Sequence, residues 1–167
     1  MIIKTERLTI TDFTMEMAEA VHLGSLDEAT RNFVPDEVFE TIDDARDTLE
    51  YLISVYENGD GPLVYPILFD GEYIGYVQAV PMDDGRWEIG YHINENHRNQ
   101  GYATEAVAAF LPTIMNKVGI VDILGITLRA NKASQKVLEK CGFEKFFEGE
   151  DLYHGEMQDV VKLIYKM

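Results

Sequence analysis

The chain has 167 residues, 46% of them hydrophobic, with nine Tyr and eight Phe; that suffices for one well-buried core, is short for two domains, and is unlike a disordered tail. A net charge of −16 leaves no basic stripe to release counterions from phosphates, which argues against nucleic-acid binding, and no apolar run approaches the roughly 20 residues needed to cross a bilayer. The charge is uneven: residues 1–60 carry fifteen Asp/Glu against four Lys/Arg, and the remainder fifteen against ten. The acidic half could draw in a cationic amine or a basic peptide, or simply keep the chain soluble.

The elements read as follows in chain order. Lys4, Glu6 and Arg7 break the N-terminal stretch where a signal peptide needs an unbroken apolar core. Thr5 to Thr11 alternates as a first strand, with Leu8 and Ile10 on one face. Thr14 caps a helix from Met15 to about Leu23, residues 24–42 read as an irregular acidic loop, and a second helix runs from about Asp43 to Asn58. Ala45, Leu49, Leu52, Ile53 and Tyr56 form its core stripe. Leu63–Phe69, Tyr73–Val80 and Arg86–Ile93 follow as strands, and the turns Asp70-Gly71 and Asp83-Asp84-Gly85 make them an antiparallel meander.

A long helix from Gly101 to about Val118 keeps 3.6-residue apolar spacing from Ala103 to Val118, with a kink expected near Ala108 because Pro112 lacks an N–H. Ile123–Arg129 is a further strand. Asn131 caps a short helix that ends at Gly142, with Lys132, Lys136 and Lys140 on its wet face and Val137, Leu138 and Cys141 on its dry one. Phe143–Tyr153 and Glu156–Lys166 close the chain as strands around the His154-Gly155 turn. The order describes a single α/β domain spanning 1–167 around a mixed sheet. The lone Cys141 can form no intramolecular disulfide and belongs to no metal-ligand cluster, consistent with a reducing cytoplasm.

One stretch carries chemistry. His97 to Ala106, HRNQGYATEA, follows a strand and opens the long helix with the spacing R-x-x-G-x-A. Such a turn leaves backbone N–H groups unpaired at the positive end of a helix dipole, an arrangement that binds phosphate oxygens. Gly101 allows close approach of a ligand and Ala103 allows tight packing of helix on strand. The bland alternative is an ordinary strand-to-helix turn. Neither a G-x-G-x-x-G fingerprint nor a G-K-[ST] phosphate loop stands at a strand–helix junction.

The strand EIGYHI, then HRNQGYATEA, then NKASQKVLEKCGF about thirty residues later resembles the GNAT (Gcn5-related N-acetyltransferase) superfamily. The Ala133-Ser134 pair and the opening TERL at Thr5 to Leu8 are similar to its RimJ/RimL-type branch, which acetylates ribosomal-protein N-termini. The resemblance implies a mostly antiparallel central sheet flanked by helices and acetyl-CoA as co-substrate, with no metal. It places the pyrophosphate on the backbone of Arg98, Asn99, Gln100, Gly101, Tyr102, Ala103 and Thr104, and the pantetheine near Ile93 and Asn131. It further implies a small-molecule or peptide amine as acceptor, with residues 24–42 shaping its pocket, and it allows a homodimer. Asn99 stands where the family often has Gly, and Asn tolerates left-handed backbone better than most residues.

For the chemistry, Glu88 shares a strand face with Gly90 and His92. Among apolar neighbours its carboxylate would have a raised pKa and could take the proton of an incoming ammonium, directly or through water; a salt-bridged surface Glu is the alternative. Ser134, in the first turn of the short helix, suits a developing thiolate. Many members of the family place a Tyr seven residues after the matching Asn, where this chain has Leu138. Cys141, on the dry face at a helix C-terminus, reads as packing and not as a nucleophile. Tyr91 and Tyr153 read as core or pocket wall, and His92, Glu95 and His97 follow no recognised metal spacing. The expected activity is acetyl transfer to a primary amine (a protein or peptide N-terminus, a polyamine or an aminoglycoside-like amine) by direct attack in a ternary complex. A catalytically silent CoA-binding sensor and a transferase of a longer acyl group are the rivals.

Overall fold

The computed structural model describes residues 1–167. Eight strands form one sheet in the order β1-β2-β3-β4-β5-β6-β8-β7. In chain order they are β1 (Ile2–Lys4), β2 (Leu8–Thr11), β3 (Leu63–Phe69), β4 (Glu72–Pro81), β5 (Trp87–Ile93), β6 (Asp122–Leu128), β7 (Glu144–Tyr153) and β8 (Glu156–Lys166). The helices are α1 (Ala18–Gly24), α2 (Glu28–Phe33), α3 (Ile42–Asn58), α4 (Tyr102–Val118) and α5 (Lys132–Lys140). All neighbouring strands are antiparallel except β5 and β6. A parallel neighbour needs a crossover, and α4 supplies it.

Two apolar layers flank the sheet. On one face α4 buries Ala106, Val107, Phe110, Leu111, Ile114 and Met115 against the strands, and Leu138 of α5 joins them. On the other, Ala18 and Val21 of α1 meet Ala45, Leu49 and Leu52 of α3 over Val64. Adjacent residues of β3 serve opposite layers, as the period of a strand requires: Val64 faces α1 and α3, while Leu63 and Tyr65 belong to the α4 side. α3 is closed at both ends, by a Thr41/Asp44 capping box and by Gly59 at φ 69°.

Three sequence expectations change. The first strand begins at Leu8, because the Thr5 hydroxyl and backbone bond to Leu8 and fold Thr5–Arg7 into a turn; a short β1 at Ile2–Lys4 precedes it and pairs with β2. Thr14 makes no side-chain cap; a 3₁₀ turn at Met15–Met17 leads into α1. Residues 24–42 are not irregular. Asp27 caps α2 by accepting from the Thr30 N–H, and Pro35–Glu37 is a further 3₁₀ turn. Neither piece is long enough to develop an apolar stripe.

α4 runs continuously across Pro112. The Ala108 carbonyl, which Pro112 leaves without its helical donor, lies beside the Cys141 thiol, and the thiol itself reaches the Thr104 carbonyl at 3.6 Å. Burial pushes that thiol up to about 11. This is packing chemistry.

Phe110 has no exposed surface and packs on Tyr65 at 5.7 Å between ring centroids. Phe110→Ala should cost about 3–5 kcal/mol, measured as a lower urea midpoint with an unchanged slope.

Candidate active site

The long strand β5 pairs with β6 at only two positions, Glu88↔Leu124 and Ile89↔Gly125. Beyond Ile89 the strands part. The gap opens as a cavity of about 150 Å³, lined among others by Gly90, Tyr91, Thr127, Asn131, Ser134 and Leu138. α4 begins just past the free end of β5, and α5 stands on the opposite bank.

At the end of β5 the backbone turns into a donor-lined cradle. Glu95–His97 is a 3₁₀ turn, Arg98 is extended, and Asn99 (φ 62°) and Gly101 (φ 81°) are left-handed. Asn99 therefore adopts the conformation expected for a replacement of Gly. None of the N–H groups from Asn99 to Thr104 donates to a protein acceptor, so six consecutive donors stand free at the N-terminus of α4. Free donors at the positive end of a helix dipole favour negative charge.

Two arginines hold the cradle without entering it. Arg98 Nε donates to the Ile93 carbonyl at 2.8 Å and its Nη2 to Asp27 Oδ2 at 2.8 Å, tying the turn to the cap of α2. Burial works to raise the Asp27 carboxyl, but hydrogen bonds from Thr30 and Arg98 outweigh it and hold it below the usual range. Arg7 donates to the Gln100 carbonyl at 2.9 Å, pairs with Glu105 at 2.7 Å and lies 4.5 Å over the Tyr102 ring. Thr5 donates to the same Glu105 at 2.6 Å. The TERL segment thus braces the first turn of α4. Its role was not legible from Thr5–Leu8 alone, since its partners lie about a hundred residues away.

In the cleft, Asn131 caps α5 as expected, its Oδ1 accepting from the Ser134 N–H at 3.2 Å. Tyr91 Oη lies 2.7 Å from Ser134 Oγ and donates within 2.8 Å of the Ser134 carbonyl. Tyr91 is therefore more than a wall: it orients Ser134. Glu88 is at the floor of the cleft, where Tyr153 Oη donates to its Oε1 at 3.3 Å and reaches the Ile126 carbonyl at 3.2 Å. Burial raises the Glu88 carboxyl to about 7, and the nearby charge of Glu37 adds to the effect. A half-buried carboxyl poised near neutrality can accept and release a proton.

A second cavity, of about 250 Å³, lies on the same sheet face between α1, α3 and the strands. Glu37, Tyr76 and Gln78 line both spaces and so stand where they adjoin. Glu37 has no counterpart in the sequence expectations. Its Oε1 accepts from Gln78 Nε2 at 3.4 Å, its Oε2 is shielded from water without a partner, and burial raises its pKa to about 7. His92 stacks on Tyr76 with its Nε2 3.3 Å from the Gly24 carbonyl, and burial holds its pKa low. His97 packs instead against Phe69 and Tyr102. His92, Glu95 and His97 do not converge, and no group of three His, Cys, Asp or Glu side chains could hold a metal ion. No helix is long and apolar enough to cross a membrane.

Residues 7–144 match the family model described as acetyltransferase (GNAT) domain. The chain is 29% identical over 153 residues to YnaD of Bacillus subtilis (strain 168), an uncharacterized N-acetyltransferase, covering 89% of this chain and 86% of that protein. A GNAT-family acetyltransferase from Bacillus anthracis superposes with a TM-score of 0.83 at 25% identity, over 99% of this chain and 98% of its own. RimL, the ribosomal L7/L12 alpha-N-protein acetyltransferase solved with coenzyme A, shares the fold at a TM-score of 0.84 and 19% identity, over 100% and 98% of the two chains. With the cradle, the divided strands and the match over residues 7–144 in hand, the chain belongs to the GNAT superfamily, whose members are acyltransferases.

Proposed function

We propose that this acyltransferase moves an acetyl group from acetyl-CoA to a primary amine by direct attack in a ternary complex. The observation that carries the reading is the run of free N–H donors from Asn99 to Thr104, opening beside a cleft that holds Glu88 and Ser134. Free donors at a helix N-terminus suit the pyrophosphate of CoA, and acetyl-CoA, when bound, supplies the activated thioester.

The remaining work falls to this chain. Asn99, Gly101, Tyr102, Ala103 and Thr104 offer N–H donors to phosphate oxygens; the Gln100 carbonyl, held by Arg7, fixes the turn that aims them. Arg98 serves by bracing the turn, since its side chain is committed to Ile93 and Asp27 and its N–H donates to the Glu95 carbonyl at 3.4 Å. The side-chain amide nitrogen of Asn131 is free to meet the pantetheine arm, while its oxygen caps α5. Glu88 takes the proton of the ammonium, leaving a neutral nucleophile. The Tyr91 phenol has one proton to give, to the Ser134 carbonyl or to Ser134 Oγ; in the second arrangement the Ser134 hydroxyl proton is free to stabilise the departing thiolate, and α5 adds its positive end. The acidic half of the chain favours a cationic acceptor: a peptide N-terminus, a polyamine or an aminoglycoside-like amine.

Two tests follow from these roles. Gly101→Ala places a Cβ on a left-handed backbone 3.4 Å from the Arg7 guanidinium; relaxation of the turn to relieve a strain of about 1–2 kcal/mol should weaken CoA binding roughly tenfold by calorimetry, with the melting temperature lowered by no more than a few degrees. Unchanged affinity removes the cradle from the reading. Glu88→Gln should lower kcat by about 100-fold or more, and the wild-type rise of kcat as pH passes about 7 should vanish in the variant. The sign for stability is opposite. The native carboxyl binds a proton up to about pH 7, while the unfolded one releases it near about 4.3, so the native state loses relative stability as pH climbs between the two. Glu88→Gln should therefore gain melting temperature over wild type at about pH 8.5 and not at about pH 4. Turnover unchanged by both Glu88→Gln and Ser134→Ala with a good acceptor would overturn the assignment of both residues.

A further inference from the structure

The cavity between α1, α3 and the sheet stands apart from the cradle residues Asn99–Thr104, and half of the residues that line it are hydrophobic. Phe13, Phe39, Tyr73 and Tyr76 contribute aromatic walls, and Val21 and Leu49 close them. Its volume of about 250 Å³ exceeds by a short aliphatic tether the roughly 150 Å³ known to hold benzene in an apolar protein cavity.

Two carboxylates enter the lining, Asp36, which is exposed, and Glu37, which is drawn in from solvent. Glu37 stands where the cavity adjoins the catalytic cleft, and its Oε2 is shut off from water with no hydrogen-bond donor. An unpartnered buried carboxylate oxygen is costly unless a ligand satisfies it. Gln78, its one neighbour in hydrogen-bond contact, occupies Oε1 at 3.4 Å. Glu37, Tyr76 and Gln78 thus form the boundary between this aromatic chamber and the cleft that holds Glu88.

Resting on the acetyl-transfer reading above, we propose that the acceptor is a 2-arylethylamine unit whose ring fills this cavity and whose ammonium meets the Glu37 carboxyl on its way to Glu88. The ring sets selectivity by burial. Glu37 answers the charge, and Glu88 then accepts the proton, so one carboxylate recognises the ammonium and the other makes it a nucleophile. The near-neutral ionisation of Glu37 lets an arriving cation draw it into its charged form. The unit occurs in free arylethylamines and equally at the N-terminus of a peptide whose first residue is Phe.

Binding and turnover are read separately. Calorimetry on the full chain with acetyl-CoA absent should show 2-phenylethylamine binding at least tenfold tighter than ethylamine, and Thr48→Phe, filling the cavity from its rim, should erase that difference while leaving CoA affinity unchanged. Glu37→Gln should weaken 2-phenylethylamine several-fold and flatten the pH dependence of its binding. CoA release with 2-phenylethylamine and with a Phe-led tripeptide then identifies the source of the unit. Equal affinity for the aryl and the ethyl amine, or a preference that survives Thr48→Phe, would overturn the proposal. Binding that follows these expectations without CoA release would leave the cavity assignment standing and sink the acetyl-transfer reading; CoA release from amines with no aryl preference would do the reverse.

Discussion

The structure turns on the incomplete pairing of β5 with β6. Two registered pairs, at Glu88 and Ile89, join the meander half of the sheet to the β6-β8-β7 half. Each further pair would add hydrogen bonds and close the cleft. The divergence leaves backbone groups of β5 and β6 facing a gap, a state that a stable sheet tolerates only where something bridges the banks. Tyr91 does so from β5 by bonding Ser134, and Tyr153 does so from β7 by bonding Glu88 and the Ile126 carbonyl. The phenols that border the opening also keep it open at a defined width.

A cradle of six free N–H groups is a second unsatisfied feature, and it too is held from outside. Arg7 and Thr5 grip Glu105 on one flank, and Arg98 anchors to Asp27 on the other. Both arginines spend their charge on carboxylates. An anion would therefore meet a directional attraction, made of amide dipoles and the helix end and not of side-chain charge.

How far the residues foretold this depends on the range of the interactions. The strands of the meander, α3, α4, α5 and the left-handed Asn99 were legible because their signals are local: apolar period, caps, turn pairs and a tolerated φ. That Glu88 and Ser134 would line one cleft was legible only through the spacing of three motifs in register. The Arg7–Glu105 and Tyr91–Ser134 contacts were not, because each joins residues more than forty positions apart and no local pattern reports a long-range partner. α2 escaped for the opposite reason: six residues are too few for periodicity, and only the Asp27–Thr30 cap betrays it.

Glu37 shows a harder limit. In the sequence it is one of many acidic residues between 24 and 42, and its neighbour Asp36 is exposed. What sets it apart is the Pro35–Glu37 turn, which points its carboxylate inward to Gln78, while half-buried Asp27 is already paired with Arg98 and Thr30 and Asp36 and Glu40 remain in solvent. The negative charge of the N-terminal half then acts at two ranges. Solvated carboxylates act over about a Debye length, roughly 8 Å at physiological salt, and can raise the local concentration of any cation without discriminating among them. Glu37 acts at contact distance beside an aromatic wall, where a cation is accepted only if the rest of its molecule can leave water. Steering and selection are thereby divided between carboxylates of the same segment, and only burial distinguishes the two.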